Sequence, residues 1–191
     1  MKINLILISF FVFTSINAQI SVNSGLYVAK EFSKEQSLYK AKDFVITQII
    51  GAETESIKFE IDPLAATSSG ELTSLVYSCE SKNISGLILG FYGNRWNESG
   101  VVYQAYGFKN FTEEKARQLL SKLDSQIEEH TKYINDNSDN NNVFFKFDDI
   151  TFLIYRDGGI KIRAFWNQFD SEWQSIALGR TKRRFERKTR D

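Results

Sequence analysis

The residues best suited to touch a ligand are aromatic and polar side chains crowded into two short stretches. Tyr92, Arg95, Trp96 and Asn97 surround the turn Gly93–Gly100, close to Tyr103 and Tyr106, while Trp166 and Trp173 flank Asn167-Gln168-Phe169-Asp170. Flat rings beside a guanidinium and an amide can form a stacking surface for a sugar or a peptide. The expected binding set is therefore Tyr92, Arg95, Trp96, Asn97, Trp166 and Trp173, with most of the other rings assigned to the core.

Two pairs of acids, Asp148-Asp149 and Asp170 with Glu172, have the residue types that glycoside hydrolysis needs. Neighbours along a strand point to opposite faces, so only the fold could bring such acids together. The first pair reads as a turn and the second as a helix start. Asn135 to Asn142 is a run of hard oxygen ligands, yet in an EF-hand frame Asn140 stands where glycine is required and Lys146 where the bidentate glutamate belongs. A solvated helix-to-strand loop is the expectation there. His130 is the only histidine, which excludes a His-rich zinc site and any two-histidine mechanism. Cys79 is the only cysteine, so no intrachain disulfide forms; it shares a period-2 row with Leu75 and Tyr77 and reads as a buried apolar residue. No residue is assigned a catalytic or metal-binding role, and no cofactor motif is present. The three Asn-X-Ser/Thr triplets, at Asn83, Asn97 and Asn110, are read as incidental.

Residues 1–18 have the form of a cleavable export signal. Lys2 precedes an apolar run from Ile3 to Phe13, too short to span a bilayer, and polar residues then lead to the small Ala18. The ending Asn-Ala-Gln resembles export signals of the Bacteroidota, which implies a periplasmic or secreted bacterial protein. No cysteine stands at the cleavage point for a lipid anchor, and no later stretch is long and apolar enough for a membrane helix. The expected organisation is a signal at 1–18, one domain over 19–179 and a basic tail over 180–191. The tail holds seven basic residues against two acids; with Lys2 also set aside, the 24 of each sign in the chain leave 16 basic and 22 acidic residues for 19–179. A tail of +5 on a body of −6 is expected to be a solvated, partly frayed end, with weak contact to an anionic surface or docking on its own domain as alternatives.

The elements that must position these side chains follow from periodicity. A first strand is expected near Leu26–Glu31, and Phe44–Ile50 is apolar and β-branched like a strand. Ile57, Phe59 and Ile61 alternate with charged residues in a strand that Pro63 ends. Glu71–Cys79, Gly86–Tyr92 and Val101–Phe108 form an antiparallel meander whose middle strand has no polar face and is central. Thr112 caps a helix over about 112–134 whose Ala116, Leu119, Leu120, Leu123, Ile127 and Ile134 share one face.

A three-residue loop at Asp157-Gly158-Gly159, with Gly159 left-handed, pairs Ile154 with Ile162 and sorts the flanking strands into an apolar row and a mixed row. Ser171-Glu172-Trp173-Gln174 reads as a capping box opening a short helix over about 171–178, closed by Gly179. From residue 71 the order is three strands, a helix, three strands, a helix. The expected class is α+β, a largely antiparallel sheet of about seven to eight strands with one long and one short helix.

Since every polar signal has a turn or cap explanation, the expected function is non-enzymatic binding of an envelope protein or glycan. The alternative is an extracytoplasmic hydrolase whose acids meet only in the fold. No specific nucleic-acid motif is present.

Overall fold

The computed structural model describes residues 26–28, 34–51, 54–137 and 140–190. The expected leader and residues 29–31 of the first expected strand lie outside them. The class is α+β, built on two antiparallel sheets of four strands, the first extended by a three-residue edge strand.

The first sheet grows from the meander. β1 (Leu26–Val28) and β2 (Glu60–Ala66) flank β3 (Leu72–Cys79), β4 (Ile84–Trp96) and β5 (Val102–Thr112) in the order β1-β5-β4-β3-β2. β4 is central because it is apolar on both sides: Leu87, Leu89 and Phe91 face one cluster of buried residues and Ile88 the other. Cys79 is buried at the end of the Leu75–Tyr77 row, in keeping with a structural thiol.

Two expectations in the first half are corrected. Lys34–Phe44 is helix α1, prolonged by a π-helical stretch through Val45–Ile50, not a strand. Ala41, Phe44 and Val45 are buried against the second face of the first sheet, and that packing overrides the β-propensity of the Val-Ile-Thr run. The stretch closes on Gly51, at φ 86°, whose N–H donates to Ile46 O at 3.0 Å. Pro63 sits within β2 rather than ending it. β2 is an edge strand, where a missing N–H is tolerated, and its pairing with β3 slips between Pro63 and Ala65. The bulge turns Leu64 into the core.

α2 (Glu113–Asp136) follows the expected helix closely. The Thr112 hydroxyl accepts from Lys115 N–H at 3.4 Å, and Ala116, Leu119, Leu120, Leu123 and Ile134 are buried. The second sheet comprises β6 (Val143–Phe147), β7 (Ile150–Arg156), β8 (Ile160–Trp166) and β9 (Phe169–Gln174) in sequential order. The pairs Arg156 with Ile160 and Ile154 with Ile162 match the expected register, and Ile150, Phe152, Ile154, Ile162, Ala164 and Trp166 are buried in one row. The left-handed loop residue is Gly158, at φ 66°, rather than Gly159.

The chain end departs furthest from expectation. Residues 171–174 belong to β9, so four strands rather than three precede the last helix. Ser171 and Trp173 alternate inward with Phe169, and this period-2 burial outweighs the capping-box pattern. The helix is α3 (Ser175–Lys188), which runs through Gly179 and most of the basic segment. Ala177, Leu178, Thr181 and Phe185 form its buried stripe, so residues 180–188 are not a frayed terminus. Their cations meet the acidic body: Lys182 pairs with Asp124, Lys188 with Asp62 at 2.6 Å, and Arg184 donates to Leu64 O at the β2 bulge. The Ser74 and Thr181 hydroxyls, both buried, lie 2.6 Å apart and tie α3 to β3. The inner faces of both sheets, α2 and α3 thus close on one core, and α1 covers the other side of the first sheet.

Candidate functional site

The expected aromatic set is dispersed by the sheet geometry. Trp166 and Trp173 are 7% and 1% exposed, and Trp166 packs at a tilt against Phe91 and stacks with Phe169, at ring distances of 5.0 and 6.3 Å. Rings held this way fill the space between the sheets. Tyr92 points to the opposite face of β4, where it packs against the cluster around Tyr106 and Phe108, and burial pushes its phenol pKa up. Asn97 shapes the β4–β5 turn, its side-chain oxygen accepting from Ser99 and Val101 N–H at 3.0 and 2.8 Å. Trp96 ends β4, and its side chain lies outside the description.

Arg95 is the member with unspent chemistry. It is 6% exposed, its Nη2 donates to Gln168 Oε1 at 2.5 Å, and its guanidinium lies 5.5 Å from the centre of the Phe169 ring. Its Nε and Nη1 are buried with no hydrogen-bond partner, as is Nδ2 of Asn167. Asn167 and Gln168 form the two-residue β8–β9 turn with φ of 46° and 65°, a conformation Asn tolerates better than Gln.

The two acid pairs are each engaged by cations. Asp148 and Asp149 form the β6–β7 turn as expected; Lys115 reaches Asp148 at 3.0 Å and Lys109 reaches Asp149 at 2.5 Å. Burial pushes the Asp149 carboxyl pKa up, but hydrogen bonds from Lys109 and Trp166 and the Lys109 charge outweigh it, so the net shift is downward. Asp170 and Glu172 lie on one face of β9, where Arg163 meets Asp170 at 2.6 Å and Lys161 meets Glu172 at 3.4 Å. A general acid needs a carboxyl that keeps its proton near neutral pH, and Asp149 is shifted the other way. His130, on α2, lies 3.9 Å from Glu129. Of the Asn135–Asn142 tract, Ser138 and Asp139 are outside the description; Asn135 accepts from Arg156 at 2.9 Å. Among the described residues, no three His, Cys, Asp or Glu side chains converge as a metal site.

A different surface has the character of a binding face. With its apolar row turned inward, the second sheet presents its other row outward. Phe144 stands opposite Leu153 and Leu153 opposite Arg163, while Phe165 stands between Thr151 and Asp170. Phe144, Leu153 and Phe165 therefore run diagonally across three strands. Phe144 is 71% and Phe165 37% exposed. Beside them Lys161 joins Asp157 at 2.7 Å and Glu172 at 3.4 Å, and Tyr155 donates to Glu172 at 3.4 Å. The hydrogen bond that Arg163 donates to Asp170, with lesser help from Tyr155, raises its already high pKa further. The sequence signal for this face was the mixed row of the β7–β8 hairpin, but Phe144 joins it only through the β6–β7 pairing.

Compared with models of protein families, curated proteins and solved structures, the chain matches none.

Proposed function

We propose that this chain is an exported bacterial envelope protein, periplasmic or secreted, that works as a non-enzymatic interaction module. Its partner-binding surface is the outer face of the second sheet. The observation that carries the reading is the Phe144–Leu153–Phe165 diagonal, two exposed phenylalanine rings joined by a half-buried leucine among charges of both signs. A protein partner suits this mixture, since apolar anchors ringed by charge-paired residues are how protein surfaces recognise one another. The leader-like residues 1–18 support export, and no helix among the described residues is long and apolar enough to cross a membrane.

A photo-crosslinking residue placed at position 153, in cells that make the full chain, tests the reading. It is expected to give a discrete protein adduct that the additional change Phe165→Asp removes, whereas a crosslinker at exposed position 176 on α3 gives none. Adducts indifferent to Phe165→Asp would overturn it. So would retention on envelope glycan that the same change abolishes, or turnover of glycoside or peptide substrates by the purified protein.

A further inference from the structure

The two sheets end in unlike edges. On the first, β2 carries Pro63 and a bulge, devices that stop another strand from pairing. On the second, β6 reads Val-Phe-Phe-Lys-Phe, pairs with β7 without a slip, and has no strand on its other side among the described residues. It contains neither proline nor glycine, and its one charge, Lys146, points outward with no carboxylate partner among the described residues.

Which backbone groups face outward follows from the turn. Asp148-Asp149 is a two-residue loop closed by Phe147 opposite Ile150, and the closing pair of such a hairpin is hydrogen-bonded. Pairs alternate along an antiparallel ladder, so Phe145 and Val143 also bond to β7. The N–H and C=O groups of Phe144 and Lys146 are then the ones directed away from the sheet.

We propose that β6 pairs antiparallel with β6 of a second copy of this chain, about a two-fold axis at Phe145, joining two second sheets into one. The strand complements itself in this register. Phe144 falls opposite the second copy's Lys146 and Lys146 opposite its Phe144, so the four outward backbone groups of each copy are used. Each exposed Phe144 ring lies beside an ammonium, and the two lysines never meet. On the inner face Val143 meets Phe147 and Phe145 meets its own equivalent, continuing the half-buried apolar row. A one-residue slip would set Lys146 against an inward-facing position, and a two-residue slip would set Lys146 or Phe144 opposite its own equivalent and leave the other residue's outward backbone groups without a strand partner, which fixes the register. The inference does not depend on what the outer face binds.

Sedimentation equilibrium of the purified protein, with positions 144 and 146 varied, tests it. The unaltered chain is expected to be a dimer at about 100 μM and to dissociate on dilution. Phe144→Lys places like charges opposite each other and should weaken the dimer by about tenfold. Phe144→Glu sets a carboxylate against Lys146 and should keep a dimer that salt weakens. Adding Lys146→Glu to Phe144→Lys should restore association. Circular dichroism checks that each variant stays folded, as these exposed positions allow. A monomer at 100 μM for the unaltered chain overturns the proposal. So does equal disruption by Phe144→Lys and Phe144→Glu, or failure of the double change to restore the dimer.

Discussion

Phe185→Ala separates a docked α3 from a solvated basic tail. Phe185 is fully buried in the main core, and the Arg117 guanidinium lies 5.9 Å from its ring centre. Truncating a buried phenylalanine costs about 3–5 kcal/mol through lost transfer free energy and the cavity left behind. A groove of about 260 Å³ lined by Arg117, Leu120, Ser121, Lys182 and Glu186 borders the ring, so water can reach the hole. The lower end, about 3 kcal/mol, is therefore expected. With a urea dependence of about 2 kcal/mol per molar, the unfolding midpoint falls by about 1.5 M. A solvent-exposed phenylalanine would move it by no more than about 0.25 M, since surface substitutions stay within about 0.5 kcal/mol. Arg183→Ala, on the exposed side of the same turn, supplies that reference value. Equilibrium urea unfolding followed by circular dichroism reads both. A Phe185→Ala shift no larger than the Arg183→Ala shift refutes the docking of α3.

Other expectations follow from single positions. Gly158→Ala should cost about 1 kcal/mol because its φ of 66° is in the left-handed region, while Gly159→Ala, with open space around its Cβ position, should be nearly neutral; thermal unfolding of the pair reads this, and the reverse order would restore Gly159 as the turn residue. Asp149 has a carboxyl held below its unfolded value, so its contribution to stability is full above about pH 4 and is lost as the pH falls through the folded value. The melting temperature of Asp149→Asn should therefore fall less than that of the unaltered chain between pH 5 and 3, and parallel curves would refute the coupling. N-terminal sequencing of the chain from envelope or culture fractions should begin at or next to Gln19; an intact Met1 form in the cytoplasm would refute export.

Local chemistry sufficed for elements whose burial is written along a single stretch. The α2 stripe from Ala116 to Ile134 repeats over several turns, and the β7–β8 hairpin has one register that sorts its residues by polarity. β4 announces its central position by lacking a polar face. Where two local signals competed, the neighbours chose between them. The Val45–Ile50 run has strand-like residue types but becomes helical because Ala41, Phe44 and Val45 fit the free side of the first sheet. Ser171 to Gln174 could open a helix or alternate as a strand, and pairing with β8 selects the strand.

The candidate site was less legible for the same reason. Sequence proximity gathered Tyr92 with Arg95 and Trp166 with Trp173, yet the alternation of β4 sends Tyr92 and Arg95 to opposite faces, and the joining of the sheets buries both tryptophans. Phe144 and Phe165, 21 positions apart, share an outer face only because β6, β7 and β8 pair side by side. Charge composition showed that the last residues are basic and the body acidic. That Lys182 and Lys188 find Asp124 and Asp62 depends on Thr181 and Phe185 entering the core. Periodicity determines which side of an element is apolar; only the assembled layers decide which apolar sides meet and which remain in water.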